Sequence, residues 1–309
     1  MSSKEIIVLT VEKVKCRKSS LSHCFSLATP AISHLTRNAA QAEPSVPAFD
    51  RARAIRYKLI GMAGLDPRTE GLIESFTREV RGLYGEELLA VILYGSAVGP
   101  DYIPAVSDLN ILVVLREVGP EHLAKSLRYM KRWRKSKINP LFLDPRYIES
   151  ALDTFPIEFL EMKEQHRLLW GEDLLQGLEV SREHLRLQCE QELRGKWLNL
   201  RQIYLETARN PRQLKRLLTA SLRPFGVVMS SLLRLKGFSV PPREFLEVLA
   251  QAETAFGLEL AAFHEAYQLK LGLRSFGRAE LHGLFARYLT EVRQLAQAAD
   301  RLFKAEGSS

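Results

Sequence analysis

The stretch LYGSAVGPDYIPAVSDLNILVVL (93–115) decides how this chain is read. It joins two apolar runs, LLAVILYG (88–95) and DLNILVVL (108–115). Continuous apolar runs of this length suit strands buried on both faces. The first run ends at Tyr94, and Gly95 permits a tight turn after it. Ser96 and the following amides would then open a helix, whose N-terminus is a ready site for polyphosphate. The second strand restarts at Ser107, and alternation puts residues 108 and 110 on one face. If the two strands are neighbours, that face meets the turn. A pair of oxygen ligands there can hold Mg²⁺ against phosphates.

Upstream, Asp66-Pro67 offers an N-cap followed by proline at the first helical position. Leu72, Ile73, Phe76, Val80 and Leu83 follow at helical spacing until Gly85. A short helix is expected within 51–64. Downstream, Glu121 to Lys137 reads as a helix, INPLFL (138–143) as a third strand, and Pro145 to Leu152 as helix. PIEFLEM (156–162) reads as a fourth strand or a helix start. Helix and strand alternate, which predicts a mixed α/β region.

After Gly171 the strand signal disappears. Leu185, Cys189, Leu193, Trp197, Leu200 and Tyr204 form one helix stripe. Asn210-Pro211 opens another helix with Leu214, Leu217, Leu218, Leu222 and Phe225 inward, and Pro224 should kink it. Pro241-Pro242 starts a third, with Phe245, Val248, Leu249 and Ala252 inward. The last carries Leu281, Leu284, Phe285, Tyr288, Val292, Leu295 and Leu302. The fold class expected is α/β (α+β), a small mixed sheet followed by an all-α helical bundle. Three segments result: 1–50, a disordered or spurious N-terminal extension; 51–178, the α/β domain; and 179–309, the bundle.

The 309 residues carry 44 Lys and Arg against 36 Asp and Glu, a formal charge of +8. With 46% hydrophobic residues the chain has enough apolar surface for real cores, which excludes disorder throughout. No apolar run approaches the roughly 20 residues that span a bilayer, so no membrane partner is expected. Three cysteines, with no paired spacing, exclude a disulfide scaffold and a zinc site, and make a reducing cytoplasm the default location. The positive charge is concentrated C-terminally: residues 181–309 hold 20 basic and 13 acidic side chains.

Gly95-Ser96 followed by Ser107-Asp108 on an apolar strand resembles the nucleotidyltransferase superfamily, the group of DNA polymerase beta and the aminoglycoside nucleotidyltransferases. That pattern is a Gly-Ser turn, an acid-x-acid strand opened by a Ser-Asp pair, and a third acid on a following strand. The resemblance implies a nucleotidyltransferase-like domain before the bundle. It also implies an NTP as ligand or substrate, Mg²⁺ as cofactor, and a small-molecule or protein acceptor. Gly95, Ser96 and Ser107 would bind nucleotide, and Asp108 and Asn110 would hold metal. The departures matter as much: the second acid is Asn110, and the natural match for the third is Asn139. Two missing unit charges weaken Mg²⁺ binding by several kcal/mol on ordinary electrostatic scales, and a neutral amide cannot deprotonate an attacking hydroxyl. Asp101, Asp144 and Glu158 are the acids that could compensate. Glu158 is the best of them if it lies on a strand, and it joins Asp108 and Asn110 as a catalytic candidate.

Three functional classes follow: a nucleotide-binding or regulatory module with eroded metal acids and weak or no catalysis; an active Mg²⁺-dependent nucleotidyltransferase moving a nucleoside monophosphate from NTP to a hydroxyl; and a nucleic-acid-binding module using basic helices. For the last, KSLRYMKRWRKSK (125–137) has seven basic residues and no acid, with Leu127, Met130 and Trp133 on one face. Residues 190–236 hold 10 basic and 3 acidic side chains. The plain reading of both is a solvated cationic face. His166 has no evident acid–nucleophile partner and reads as structural.

Overall fold

The computed structural model describes residues 65–99, 102, 107–238 and 245–306. All belong to one compact unit. The N-terminal extension 1–50, the helix expected within 51–64, Asp101 and the Pro241-Pro242 start lie outside the described residues.

Helix α1 (Pro67–Tyr84) begins as its sequence predicts. The Asp66 carboxylate accepts from the amides of Arg68 and Thr69, and Gly85 ends the helix with φ +53°. Strands β1 (Leu88–Tyr94) and β2 (Leu109–Leu115) pair antiparallel, Tyr94 opposite Asn110. Helix α2 (Pro120–Lys135) returns the chain to β3 (Ile138–Leu143), which lies parallel to β2 with Asn139 opposite Asn110. Two short helices follow, α3 (Pro145–Ala151) and α4 (Pro156–Glu164). Strand β4 (His166–Gly171) then pairs antiparallel with β1. The mixed sheet has the order β3-β2-β1-β4.

The central pair explains its own composition. Val91, Leu93, Ile111 and Val113 are fully buried against Ile73, Phe76 and Val80 of α1 and Trp133 of α2. On the opposite face Ala90, Ile92, Leu112 and Val114 are equally buried. A strand covered on both sides has no polar alternation to show.

Two expectations need correction. Of the two readings of 156–162, the helix start is the one observed and the strand falls: α4 starts at Pro156, whose fixed φ suits a first helical turn. The fourth strand is β4, which the sequence reading missed. It is an edge strand, partly exposed along its whole length, so neither alternation nor a buried run marks it. It ends at Gly171, where φ is +85° and an added Cβ would lie 2.0 Å from the Leu89 carbonyl oxygen.

The helical part contains α5 (Arg182–Thr207), α6 (Pro211–Leu235), α7 (Phe245–Phe256), α8 (Ala261–Leu271) and α9 (Arg278–Glu306). Its core collects Leu185, Cys189, Leu193, Leu218, Leu222, Phe225, Phe263, Leu284 and Tyr288, and reaches into α4 through Ile157. Asn210 caps α6 through the amides of Arg212 and Gln213. Helix α6 runs on through Pro224 as one element. Phe245 is partly buried and packs against this core, and Val248, Leu249 and Ala252 are buried as expected. Burial pushes the Cys189 thiol up to about 12, which leaves it an inert core residue. Among the described residues no helix is long and apolar enough to cross a membrane.

Candidate functional site

The register sets one row of residues across all four strands: Asn139 on β3, Asn110 on β2, Tyr94 on β1 and His166 on β4. Cross-strand partners share a face, so these four side chains belong to one side of the sheet. Gly95 directly follows Tyr94, in the middle of this row. Its φ is +76°, the left-handed region, and its amide donates to the Gln165 carbonyl at 2.9 Å. A Cβ added there would lie 3.4 Å from Asn110 Nδ2. The Asn110 amide is therefore wedged between the turn and β3, and its Oδ1 accepts from Asn139 Nδ2 at 3.4 Å. A hydrogen bond between two amides spans the place where the acid pattern would set two carboxylates side by side.

Ser96 is half-buried, and its carbonyl accepts from the Gly99 amide. It lies in a single 3₁₀ turn, Gly95–Val98, not at the start of an α-helix. The expected helix N-terminus is thus corrected to one turn. One turn lacks the aligned peptide dipoles that give a helix end its positive field. Beyond it, Tyr102 is buried and its hydroxyl meets Thr69 Oγ1 at 3.2 Å. Thr69 Oγ1 in turn donates to Asp66, so the connection is tied to the start of α1.

Ser107 and Asp108 are half-buried and immediately precede β2. Alternation from β2 directs Asp108 to the Asn110 side. Among the described residues nothing hydrogen-bonds to its carboxylate.

Glu158 is on α4, not on a strand. Its carboxylate accepts from Gln188 Nε2 at 2.7 Å, and Gln188 Oε1 accepts from the Ile157 amide at 2.7 Å. Burial pushes the Glu158 carboxyl above its ordinary value, outweighing the hydrogen bond from Gln188. Its recorded partners thus lie on α5, away from the Asn110 row. Asp144 is the N-cap of α3 and accepts from the Tyr147 amide.

Sequence reading missed what fixes the β4 end of the row. His166 Nε2 meets Asp173 Oδ2 at 2.8 Å, while Nδ1 faces the carbonyls of Met162 and Lys163 at 3.1 and 2.9 Å. The ring is thus held between the Asp173 carboxylate and the two carbonyls. Burial is the largest single influence on the Asp173 carboxyl and works to raise it, but the contact with His166 and the amides of Gln176 and Leu175 together outweigh it, and the group lies below its ordinary value. The sequence signal was the pair itself, His166 and Asp173 seven residues apart; only the β4 turn brings them together. Arg167 beside it forms a bidentate pair with Glu70 at 2.7 and 2.8 Å, holding that carboxyl below its usual range. Gln165, whose carbonyl holds Gly95, is buried, and its Nε2 has no hydrogen-bond partner among the described residues. Burial pushes the Tyr94 phenol well above its ordinary value.

For a metal ion this donor set is thin. It offers one carboxylate, Asp108, and one amide oxygen that already accepts from Asn139. Among the described residues no group of three or more His, Cys, Asp or Glu is placed to hold a metal ion. Among the described residues the donor set does not fit a resident pair of Mg²⁺ ions, because too little negative charge offsets them.

No family model matches the chain, and no curated protein matches it. Among solved structures, it is similar to spectinomycin adenyltransferase AAD(9) from Enterococcus faecialis, determined with ATP and spectinomycin. The TM-score is 0.47 at 11% sequence identity, covering 74% of this chain and 98% of that one. A likeness of this degree says nothing about the chemistry at Asn110, which its own neighbours must decide.

Proposed function

We propose that the chain is a nucleotide-binding or regulatory module on a nucleotidyltransferase-like fold, with eroded metal acids and weak or no transfer activity. The observation that carries this reading is the Asn110–Asn139 hydrogen bond beside the Gly95 turn. Two neutral amides satisfy each other there, so the position is stable without a cation. Gly95, Ser96 and Ser107 would meet the phosphates of a nucleotide. Asp108, with no partner among the described residues, is the group left to meet a ribose hydroxyl, or a cation that the nucleotide itself carries.

Calorimetry with ATP, with and without Mg²⁺, tests this together with phosphorus NMR. ATP should bind with an affinity that Mg²⁺ changes by less than about threefold. No pyrophosphate should form with a pool of hydroxyl acceptors. Asn110→Asp restores one charge and should make binding Mg²⁺-dependent by roughly tenfold, about 1.4 kcal/mol. Pyrophosphate release by the wild type, absent in Asp108→Ala, would overturn the reading in favour of an active nucleotidyltransferase. Such an enzyme would use Asp108, Asn110 and Glu158 to move a nucleoside monophosphate to a small molecule or protein. Failure to bind any nucleotide would remove both.

A further inference from the structure

The helical part carries a charge pattern that its own fold does not use. Between Glu206 and Glu244 there is no acidic residue, while eight Lys and Arg occur. Five of these, Arg209, Arg212, Lys215, Arg216 and Arg223, are exposed at the α5–α6 corner and along α6. None has an acidic partner among the described residues. Several exposed arginines elsewhere are compensated: Arg194 by Glu190 and Asp300, Arg287 and Arg274 by Glu265, Arg132 by Glu79.

Their placement also opposes helix physics. The first turn of α6 holds no acid, and Arg212, Lys215 and Arg216 crowd the positive end of its dipole. The amides of Arg212 and Gln213 are already taken by Asn210. The cations are thus not recruited to complete the helix, and they weaken it slightly.

Helical spacing puts Arg212, Arg216 and Arg223 on one line, opposite the buried Leu214, Leu218, Leu222 and Phe225. Eleven residues at 1.5 Å span about 16 Å, the axial length of roughly five phosphates of one strand at 3.4 Å each. The positions between the cations are Gln213, Thr219 and Ala220, so the line has no large apolar side chain to enter a bilayer. Helix α2 differs: Arg128 and Arg132 stack on Tyr129, and Arg132 also pairs with Glu79.

We infer that this ridge on α6 is a docking surface for the phosphate backbone of a nucleic acid. It binds through charge and spacing and reads no base sequence.

The test is fluorescence anisotropy with a labelled oligonucleotide of roughly 16 nucleotides, single-stranded and as a duplex, across a salt series. The full chain is compared with R212E/R216E/R223E and with a charge-matched control on α2, K131E/R134E/K135E. The ridge variant should lose at least about tenfold at 50 mM salt, and its log K against log salt slope should fall by about 2 to 3. The control should change less than about threefold. The milder R212Q/R216Q/R223Q, checked by circular dichroism, serves if charge reversal prevents folding, with the same direction expected. Three results would overturn the inference: no binding at 50 mM salt, equal losses in both variants, or tighter sedimentation with anionic phosphatidylserine vesicles than binding to either oligonucleotide.

Discussion

Gly95 and Asn110 bear on each other directly. The turn needs φ +76° at position 95, and the Asn110 amide lies where a Cβ would make an ordinary contact. Backbone conformation rather than space therefore makes glycine necessary. Gly95→Ala should cost about 1–2 kcal/mol, lowering the melting temperature by roughly 2–8 °C. A variant melting with the wild type would show that the left-handed turn is dispensable. The residue types at positions 95, 108, 110 and 139 were legible from the chain alone. That Asn110 and Asn139 bond to each other was not, because the contact depends on the parallel register of β2 and β3.

At the scale of elements, α4 shows where local reading left strand and helix open. PIEFLEM has strand-like residues, yet Pro156 starts a helix, and Ile157 and Phe159 are buried. Glu158 consequently faces Gln188 of α5. Its carboxyl is raised above the ordinary value of 4.5 by burial. A group whose folded pKa is raised binds its proton more tightly when folded. Its contribution is therefore full below the unfolded value and lost as pH rises toward the folded one. Glu158→Gln keeps an acceptor for Gln188 and removes the titration. Its melting temperature relative to wild type should improve between about pH 4.5 and 7. An identical difference at both ends of that range would refute the link. Likewise Leu127, Met130 and Trp133 were expected to share one apolar face of α2, but Leu127 is 69% exposed; Trp133 is the residue that enters the core, donating through Nε1 to Glu79.

Across the whole molecule, α4 links the sheet to the helical part. Gln188 bridges the Ile157 amide and the Glu158 carboxylate, and Arg234 pairs with Glu164. Directly after it, Gln165 and His166 anchor the Gly95 turn and β4. Both parts should therefore unfold together. In Trp197→Phe, Trp133 and Trp170 report on the sheet region by fluorescence, while far-ultraviolet circular dichroism follows mainly the helices. The two midpoints should coincide, and separate transitions would show that the α4 contacts do not couple the parts.

The sequence by itself determined where most elements run, because apolar period, proline starts and glycine ends are local properties. It also determined the residue types at the Gly95 turn and the lack of acids between Glu206 and Glu244. Tertiary structure alone decided that β4 completes the sheet, that Glu158 turns toward α5, and that one row runs from Asn139 to His166. The reason is physical: an edge strand and a cross-strand contact are set by register and packing between segments far apart in the chain, and no local pattern records them.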